Sequence, residues 1–440
     1  MIRELKARLG MNSRNSSKPP SSDPPGTPPP KKKPGSGRRR GGQPGHPGTQ
    51  RELLPTSDVD HVVPHLPKRC EHCDAKLPDQ PSPEDPPPIR HQVYDLPEKL
   101  YEVTEHQAHA CTCPECGKVT REELPAEVAG SCFGPRLVSF LAFMTGACHV
   151  SRRNVQEITT DVLGVPIALG TVSNLEAEVS EALAAPYAEA AKEVQDARAK
   201  NVDETGFKKE NRRCWLWVAG TAAVAVFCVH ARRSRDGLVA LLGETVKGIL
   251  TSDRFSVYSK LLNECRQICW AHLKRDFKKL VDRGGKGAEV GQQGLDIVEA
   301  VFYRWKAFKG GFVTREVLQA LLAPYRRKLR ECLEAGLELG DKKAATFCEN
   351  LLSLERALWT FMLEEGVEPT NNHAERLLRS GVLWRKISLG TQSERGCRYV
   401  ERVLTTVQTL RLQRRPVYAF LAEAVEARRT GAVAPSLLPA

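Results

Sequence analysis

The spacing of apolar residues predicts helices between about residue 134 and residue 195. Pro135 can occupy the first turn of a helix that continues through the run LVSFLAFMTGA. After a second helical stretch the pattern breaks at Gly164-Val165-Pro166, and a new helix can begin at Gly170. A helix, a short break and a second helix are compatible with a helix-turn-helix. The same pattern is typical of any small helical bundle, so both interpretations stay open.

From Ala199 onward the pattern changes to short apolar runs. Five of them indicate strands, with a helical segment before the fourth, and they read NVDETGF, CWLWVAGT, AVAVFCVH, GILTSD and RQICWAH. The uncharged stretch 214–231 is close to the length of a membrane span. However, Gly220-Thr221 lies near its middle, and both halves are rich in β-branched and aromatic residues. We therefore predict two buried strands joined by a turn, in a mixed α/β region with no membrane segment.

The last third of the chain has helical periodicity. Between Phe347 and Phe361 the apolar residues step by four, three, four and three positions. After Pro369 a helix carries NNHAERLLR, and a last amphipathic helix ends before Pro416. Residues 60–120, by contrast, are strand-like and have a pair of cysteines toward each end.

The N-terminal segment is rich in proline, glycine and serine and cannot bury a core. It has no acidic residue between Asp23 and Glu52, and the whole chain carries 65 Lys and Arg against 53 Asp and Glu, a net charge of +12. This balance favours a phosphate-binding arm over a solvated linker. The basic residues predicted to contact DNA there are Lys31, Lys32, Lys33, Arg38, Arg39 and Arg40.

The cysteines predict a metal site. The chain has 14 cysteines, and its opening lacks the apolar segment of a secretory signal. In a reducing compartment such cysteines are metal ligands or buried thiols more often than disulfides. Two CxxC pairs, Cys70 with Cys73 and Cys113 with Cys116, can place four thiolates around a structural Zn²⁺. Cys111 is an alternative to Cys113 in the second pair, and free thiols are the competing interpretation.

Three acidic residues form a second candidate site. Asp203 and Asp253 lie at the ends of the first and fourth predicted strands, and Glu375 lies on the helix after Pro369. Carboxylates from two strand ends and a helix can hold two Mg²⁺ or Mn²⁺ ions about 3.5–4 Å apart, the arrangement used for phosphodiester chemistry. An Asp at a strand end is ordinarily a turn or cap residue, so the pattern alone leaves that role open. Glu204 and Glu394 lie outside the triad and are candidate comparators.

Four motifs give the chain a family resemblance. DETG at 203–206, CWAH at 269–272, NNHAERLLR at 371–379 and GTQSERG at 390–396 resemble DDE transposases of the insertion-sequence-66 family. The arm sequences NSSKPPSSD and GGQPGHPG and the two cysteine pairs are similar to that family's basic arm and zinc-binding segment. The resemblance implies an RNase H-like catalytic domain interrupted by a helical insertion. It places the catalytic and Mg²⁺-binding triad on Asp203, Asp253 and Glu375.

The chain departs from the family pattern at two places. The short helix at Ile2–Leu9 looks like the tail of a longer leucine-rich coiled-coil helix. After Asp253 the family leads us to expect a small residue and a tyrosine, where this chain has Arg254 and Phe255. Within CWAH, we expect Cys269 and His272 to serve packing or DNA positioning rather than metal binding.

These features predict a multi-domain α+β protein with a zinc ribbon, a helical region and an RNase H-like α/β core. The expected divisions are a basic arm at 1–58, the zinc ribbon at 59–124, a helical DNA-binding region at 125–197, the core at 198–285, a helical insertion at 286–366, closing helices at 367–412, and a C-terminal helix and tail at 413–440.

The resemblance implies a bacterial cytoplasmic, nucleoid-associated transposase that cuts transposon ends and transfers the 3′-hydroxyl into target DNA. Its expected partners are double-stranded inverted repeats and target DNA, further copies of itself, and small accessory proteins. Arg376, Arg379, Arg385 and Lys386 would contact phosphates near the site. The alternatives are a non-catalytic DNA-binding protein, a nuclease without strand transfer, and an inactive remnant.

Overall fold

The computed structural model describes residues 52–439, which fall into two units, 52–102 and 103–439. The predicted arm residues Lys31 to Lys33 and Arg38 to Arg40 lie outside the described residues. In unit 52–102 the regular structure is a 3-10 turn at Thr56–Asp58 and a single bridge between Arg69 and Lys76. The side chains of Arg90 and Gln92 donate to the carbonyl of Leu54. The strand-like prediction for 60–109 is therefore wrong for most of that stretch.

Unit 103–439 begins with a hairpin of two short strands, β1 (Ala110–Thr112) and β2 (Val119–Arg121). A helical region follows, as the apolar spacing predicts. Its elements are α1 (Ala126–Ala129), α2 (Pro135–Gly146), α3 (Arg152–Glu157), a π-helical turn (Ile158–Val162), α4 (Leu169–Ala182) and α5 (Ala184–Asp196).

A mixed five-stranded sheet follows the helical region. Its strands are β3 (Ala199–Lys209), β4 (Arg212–Gly220), β5 (Ala225–His230), β6 (Ile249–Ser252) and β7 (Arg266–Ile268), in the order β5-β4-β3-β6-β7. The first three strands pair antiparallel, and β6 and β7 run parallel to β3. Helix α6 (Arg235–Leu242) connects β5 to β6. The mixed α+β class is confirmed.

The uncharged stretch 214–231 forms β4 and β5, which confirms the prediction of two strands. They turn at Thr221, whose N–H donates to the carbonyl of Val224 at 2.8 Å. Within residues 52–439 no helix is both long enough and apolar enough to cross a membrane.

Six helices lie between β7 and the segment that carries NNHAERLLR. They are α7 (Trp270–Arg283), α8 (Gly287–Lys309), α9 (Arg315–Leu337), α10 (Lys342–Ser353), α11 (Glu355–Leu358) and α12 (Thr360–Leu363). They pack around a second core, shared with Ile249 of β6 and Ile268 of β7, in which Leu351, Leu358 and Phe361 are buried as the four-three spacing predicts. The indole N–H of Trp270 donates to the carbonyl of Leu358 at 2.7 Å and ties α11 to the start of α7.

The chain closes with α13 (Asn372–Ser388), α14 (Glu394–Leu412) and α15 (Val417–Thr430). Helix α14 covers the β5 edge of the sheet. Three α14 side chains, one on each successive helical turn, accept hydrogen bonds from alternate backbone N–H groups of β5. Glu401 accepts from Val229 at 2.7 Å, Thr405 from Phe227 at 3.0 Å, and Thr409 from Ala225 at 3.0 Å. Four residues of helix rise about 6 Å and two strand residues about 6.8 Å, so the two periods match. These bonds satisfy an edge that would otherwise be open to another strand.

Candidate active site

Asp203 lies within β3 (Ala199–Lys209), the central strand, opposite Val218 of β4. The prediction that it lies at a strand end is therefore wrong, because β3 continues to pair with β4 as far as Lys209. Its carboxylate accepts the backbone N–H of Glu204 at 2.9 Å. Burial raises the pKa of Asp203 to about 8, and repulsion from Glu204, Asp253 and Glu375 adds to the shift. The predicted triad residues are therefore close enough to act on one another electrostatically, although Asp253 and Glu375 are 50 and 172 positions away in sequence.

Asp253 follows the last residue of β6. Its Oδ1 accepts the N–H of Phe255 at 2.9 Å, a turn contact that fixes the carboxylate at the end of the strand. Because β6 pairs parallel to β3, the two strands run toward the same end of the sheet, and Asp253 lies toward that end. Asp253 therefore has the turn role that the sequence left open. This role does not prevent its carboxylate from acting on Asp203 electrostatically.

Glu375 lies in the first turn of α13, where the positive end of the helix dipole favours a negative side chain. Its N–H donates to the carbonyl of Asn371 at 3.2 Å. The Asn371 side chain is buried and reaches β3. Its Nδ2 donates to the carbonyl of Val202 at 2.7 Å, and its Oδ1 accepts from Asn201 at 3.1 Å. Asn371 thus fixes the start of the Glu375 helix beside the strand that carries Asp203.

Cys269 completes this connection by packing. Its N–H donates to the carbonyl of Ser252 at 2.9 Å, and its Sγ accepts the N–H of Asn371 at 3.1 Å. Burial raises the pKa of the thiol to about 11, which keeps it protonated near neutral pH. This geometry supports the packing role expected for Cys269, and it links the end of β6 to α13.

His272 is the site residue that sequence reasoning underestimated. Its Nδ1 lies 3.7 Å from Oε1 of Glu375 and is buried without a hydrogen-bond partner in the described part of the chain. Burial, followed by repulsion from Arg275, lowers the pKa of the imidazole. The C-x-x-H spacing puts His272 in the first turn of α7, but only the fold shows that this turn faces α13.

The acidic side chains are oxygen donors of the kind that divalent cations bind. Within residues 52–439 no three His, Cys, Asp or Glu side chains lie close enough together to enclose a metal ion in this conformation. The triad residues and His272 are therefore grouped around one region, but in this conformation they do not form a coordination shell.

Glu204 is not a surface residue, and its use as a comparator for the triad is wrong. Strand alternation turns it to the opposite face from Asp203. There its carboxylate is buried between Arg233, at 2.6 Å, and the hydroxyl of Tyr258, which donates to it at 2.7 Å. The Arg233 guanidinium also lies 3.8 Å from the centre of the Phe255 ring. Phe255 thus supports a buried ion pair behind the site.

Arg254, the other departure from the family pattern, also has a structural partner. Its guanidinium pairs with Asp276 of α7 at 2.6 Å. Helix α7 is thereby fastened to the loop that carries Asp253.

The basic residues predicted near the site do not behave alike. Arg376, Arg379 and Lys386 are exposed on α13, and in the described residues none of them makes a hydrogen bond or ion pair. Arg385 instead donates to the carbonyl of Gly206 and to the hydroxyl of Thr205, so its guanidinium ties α13 to β3. The free basic surface of α13 therefore consists of the other three.

The two CxxC pairs form turns with the same hydrogen bonds. In the first, the N–H of Asp74 donates to the carbonyl of Cys70 and the N–H of Cys70 to that of Ala75, both at 2.9 Å. In the second, Gly117 donates to Cys113 and Cys113 to Lys118, at 3.0 and 2.8 Å.

Both turns also share a left-handed residue and an acidified thiol. Asp74 and Gly117 have φ of 58° and 69°. Backbone N–H groups lower the pKa of Cys70 and of Cys113, chiefly those of His72 and Cys116 respectively. Cys111, in contrast, lies on β1 opposite Thr120 and outside the turn.

Comparisons with known proteins agree with the sequence resemblance. A family model described as "Transposase IS66 family" matches residues 130–399, which include all three triad positions. A model for a family of unknown function matches residues 1–52. A curated relative, described as "Uncharacterized protein y4qI" of Sinorhizobium fredii, is 29% identical over 46% of this chain and 41% of its own length. The chain thus spans about two fifths of that relative.

Proposed function

The chain belongs to the IS66 transposase family, and from this premise we propose that it cleaves transposon ends and joins them to target DNA using Asp203, Asp253 and Glu375. The observation that carries the proposal is the approach of these three carboxylates from β3, the end of β6 and the first turn of α13. Burial raises the pKa of Asp203, and repulsion from Glu204, Asp253 and Glu375 adds to the shift, so the three triad groups share one electrostatic environment.

The fold of the sheet supports an RNase H-like core. Three antiparallel strands are followed by two strands parallel to the first, and the first strand is central. The helices between β7 and α13 pack in a second apolar core, which also includes Ile249 of β6 and Ile268 of β7, and this supports an insertion that interrupts the catalytic domain before its last acid.

The donor set fits Mg²⁺ or Mn²⁺. Both are hard cations that prefer carboxylate oxygens, and a cation among these acids would relieve their repulsion. When bound, such ions activate the attacking oxygen and stabilise the leaving oxygen of a phosphodiester. The buried, unpaired Nδ1 of His272 is directed at the same region and could position Glu375 or a water molecule.

Basic residues near the acids would bind the DNA substrate. Arg376, Arg379 and Lys386 would bind phosphates along α13.

The proposed reaction has two steps. In the first step water cleaves the phosphodiester at the transposon end and leaves a 3′-hydroxyl. In the second step this hydroxyl attacks a target phosphodiester, forming one bond to phosphorus as another breaks. We expect further copies of the chain, and small accessory proteins, to take part in the assembly on DNA.

An assay of cleavage and joining tests the proposal against its alternatives. Purified protein is incubated with a plasmid that carries the inverted repeats flanking its gene, with and without Mg²⁺. A transposase yields cleaved ends and joined products only with the metal. A nuclease yields cleavage without joining. A DNA-binding protein or inactive remnant shifts the DNA without cutting it.

We also propose that Cys70, Cys73, Cys113 and Cys116 bind structural zinc. Support comes from the matching turns and from the lowered pKa of the first thiol in each, since thiolates are the ligands of Zn²⁺. Freshly purified protein should contain about one zinc per chain by mass spectrometry, because closed thiolate sites bind tightly. Cys70→Ser should lose the metal while the five-stranded sheet stays folded.

Cys111→Ser is the matched control for this zinc prediction. Because Cys111 lies on β1 outside the turn, its variant should keep the metal, whereas Cys113→Ser should lose it. Absence of zinc from protein prepared without chelators contradicts the proposal. Metal loss from Cys111→Ser alone would reassign the ligand.

The basic N-terminal arm is expected to bind DNA without sequence preference. Deleting residues 1–50 removes the six lysines and arginines at positions 31–33 and 38–40, along with others near the start. Binding to any duplex should weaken, and its salt dependence should become shallower, because fewer counterions are released. Fluorescence anisotropy over a range of salt concentrations measures both effects. An unchanged slope would show that the arm is a spacer.

A further inference from the structure

The turn between β3 and β4 carries a cluster of basic side chains, in the sequence Lys208-Lys209-Glu210-Asn211-Arg212-Arg213. Glu210 and Asn211 have φ of 51° and 61°, so a tight two-residue turn joins the two strands. Three of the basic side chains are exposed and, within residues 52–439, make no hydrogen bond or ion pair. They are Lys208, Arg212 and Arg213, and we call them the hairpin cations.

The pairing of β3 with β4 places like charges opposite each other. Lys208 is the register partner of Arg213. Lys209 is the register partner of Arg212. Like charges directly opposite in a strand pair are destabilising. Glu394 pairs with Lys209 at 3.0 Å, but no acidic side chain in the described part of the chain pairs with Lys208 or Arg213. An anion bound at the Lys208–Arg213 pair would relieve this repulsion.

An aromatic side chain orients Arg213. The guanidinium carbon of Arg213 lies 4.8 Å from the ring centre of Trp215, two residues along the same face of β4. Arg233 lies 5.0 Å from the same ring, but its charge is paired with Glu204. A guanidinium that stacks on a ring through its flat face keeps the N–H groups at its edge available for the oxygens of a phosphate. Arg213 is therefore oriented without being neutralised.

The GTQSERG motif, which lies outside the acidic site, supports the hairpin. The N–H of Thr391 donates to the carbonyl of Lys208, and the N–H of Glu210 donates to the carbonyl of Thr391, both at 2.9 Å. These bonds extend the sheet along the edge of β3 beyond its pairing with β6, which ends at Asn201. A Cβ on Gly390 would collide with the carbonyl oxygen of Lys208, and its φ of 108° also favours glycine. The motif thus fixes the backbone that carries the hairpin cations.

The hairpin cations lie away from the acidic site. Lys208 is five residues after Asp203 on β3, which is about 17 Å at about 3.3 Å per residue. Because successive side chains alternate, the two residues also point to opposite faces of the sheet. The hairpin cations are therefore placed to hold DNA beyond the reacting phosphate rather than to take part in its chemistry.

We propose that the hairpin cations bind the phosphate backbone of double-stranded DNA outside the acidic site. The inference rests on the proposed transposase function, because it takes DNA as the polyanion. Contacts to phosphates position DNA and carry no sequence information, so this binding is independent of sequence. A duplex is favoured over a single strand because Trp215 is half-buried and already stacks with Arg213 and Arg233, whereas single strands bind to open aromatic rings.

The salt dependence of binding to a labelled duplex of arbitrary sequence tests the proposal. The full chain is used without metal, so no strand is cut. Lys208→Gln combined with Arg213→Gln removes both charges of the opposed pair. Each phosphate contact contributes about 0.9 to the slope of log affinity against log salt, so the slope should become shallower by about 1.8. Affinity at about 0.1 M salt should fall about tenfold or more.

Arg327→Gln combined with Lys328→Gln is the matched control. Both side chains are exposed on α9, neither makes a hydrogen bond or ion pair among the described residues, and Lys328 lies 5.8 Å from the ring centre of Tyr325. This variant loses the same two charges and should keep the wild-type slope. Lys208→Arg combined with Arg213→Lys keeps both charges at the hairpin, so it should keep the wild-type slope as well.

Glu210→Gln changes binding in the opposite direction. Glu210 is exposed at the turn, so removing its charge should tighten duplex binding by about twofold, the size of a typical interaction between exposed charges. If circular dichroism shows that Lys208→Gln with Arg213→Gln is unfolded, this variant decides the question. An unchanged duplex affinity of Glu210→Gln then overturns the hairpin proposal.

The remaining outcomes separate the two proposals. An unchanged slope in folded Lys208→Gln with Arg213→Gln, or an equal loss in the α9 control, overturns the hairpin proposal and leaves the transposase proposal intact. Weaker binding to single-stranded DNA alone, with duplex binding unchanged, overturns the hairpin proposal as well. Failure of the wild-type protein to bind any duplex overturns both.

Discussion

Asp203→Asn, Asp253→Asn and Glu375→Gln should each reduce end cleavage and strand joining by about a thousandfold or more. Each change keeps the shape of the side chain and removes one negative charge from a proposed metal ligand. A neutral amide is a poorer ligand for Mg²⁺. The ions contribute several kcal/mol to the transition state, and about 1.36 kcal/mol corresponds to a factor of ten in rate. Cleavage and joining rates on DNA that carries the inverted repeats measure the effect.

The suitable control for the triad is Glu394→Gln. Glu394 is exposed, pairs with Lys209 at 3.0 Å at the surface, and lies outside the triad, so its variant should keep nearly full activity. Glu204→Gln would instead disturb the buried contacts to Arg233 and Tyr258. DNA affinity of the triad variants should persist or rise, because repulsion of phosphate is relieved. Normal joining by one variant removes that residue from the triad, and loss of DNA binding by all three indicates a folding role.

The raised pKa of Asp203 gives the triad a pH signature. Without metal the carboxyl keeps its proton below about pH 8, so a cation must displace that proton to bind. Mg²⁺ affinity should therefore rise as the pH increases toward about 8, because less work is spent on deprotonation. In Asp203→Asn this dependence should flatten. Calorimetric titration of Mg²⁺ at several pH values, run on the same variants, records both outcomes.

Asn371→Leu is expected to have the second largest effect. The change removes the bonds to Val202 and Asn201 and leaves a buried carbonyl without its donor, at a cost of about 1–3 kcal/mol of folding free energy. Glu375 lies four residues, about one helical turn, after Asn371, so the loss of these bonds should also displace the Glu375 carboxylate. A misplacement of about 1 Å can reduce a rate by about a hundredfold. Urea denaturation and strand joining measure the two effects.

The neighbouring Asn372→Leu is the matched control for Asn371. Asn372 is exposed at the first position of α13 and makes no side-chain hydrogen bond in the described residues. Its variant should keep wild-type stability and nearly full joining. Equal losses in the two variants would show that the amide network does not position Glu375.

Local pattern was sufficient to predict the secondary structure of the α/β region. The strands β4 and β5 and the buried positions of the later helices follow from apolar spacing, because each reflects which face of a short segment is buried. The same approach failed for residues 60–109, where the sequence is strand-like but the structure has almost no strand. Exposed β-branched residues such as Val62, Val63 and Val103 raise strand propensity there without a sheet to pair with.

The acids of the site were predictable, but their supporting residues were not. Asp203 and Glu375 fall within the DETG and NNHAERLLR motifs, and Asp253 follows a short apolar run that predicts a strand. The bond from Asn371 to Cys269 joins residues 102 positions apart, and no periodicity records such a contact. The burial of Glu204 is a second example. This acid is next to Asp203 in sequence, and its buried partners, Tyr258 and Arg233, come from other elements. The sequence groups Arg385 with its basic neighbours, but its position on α13 directs its side chain toward β3.

The most direct test of the account is the joining of a pre-cleaved transposon end. A labelled end with a free 3′-hydroxyl, taken from the inverted repeats that flank the gene, is incubated with supercoiled target plasmid and Mg²⁺. We predict that wild-type protein produces covalently joined product and that Glu375→Gln, tested at equal DNA occupancy, produces none. Absence of joined product from wild-type protein that binds and cuts the DNA, or equal joining by Glu375→Gln, would contradict the account.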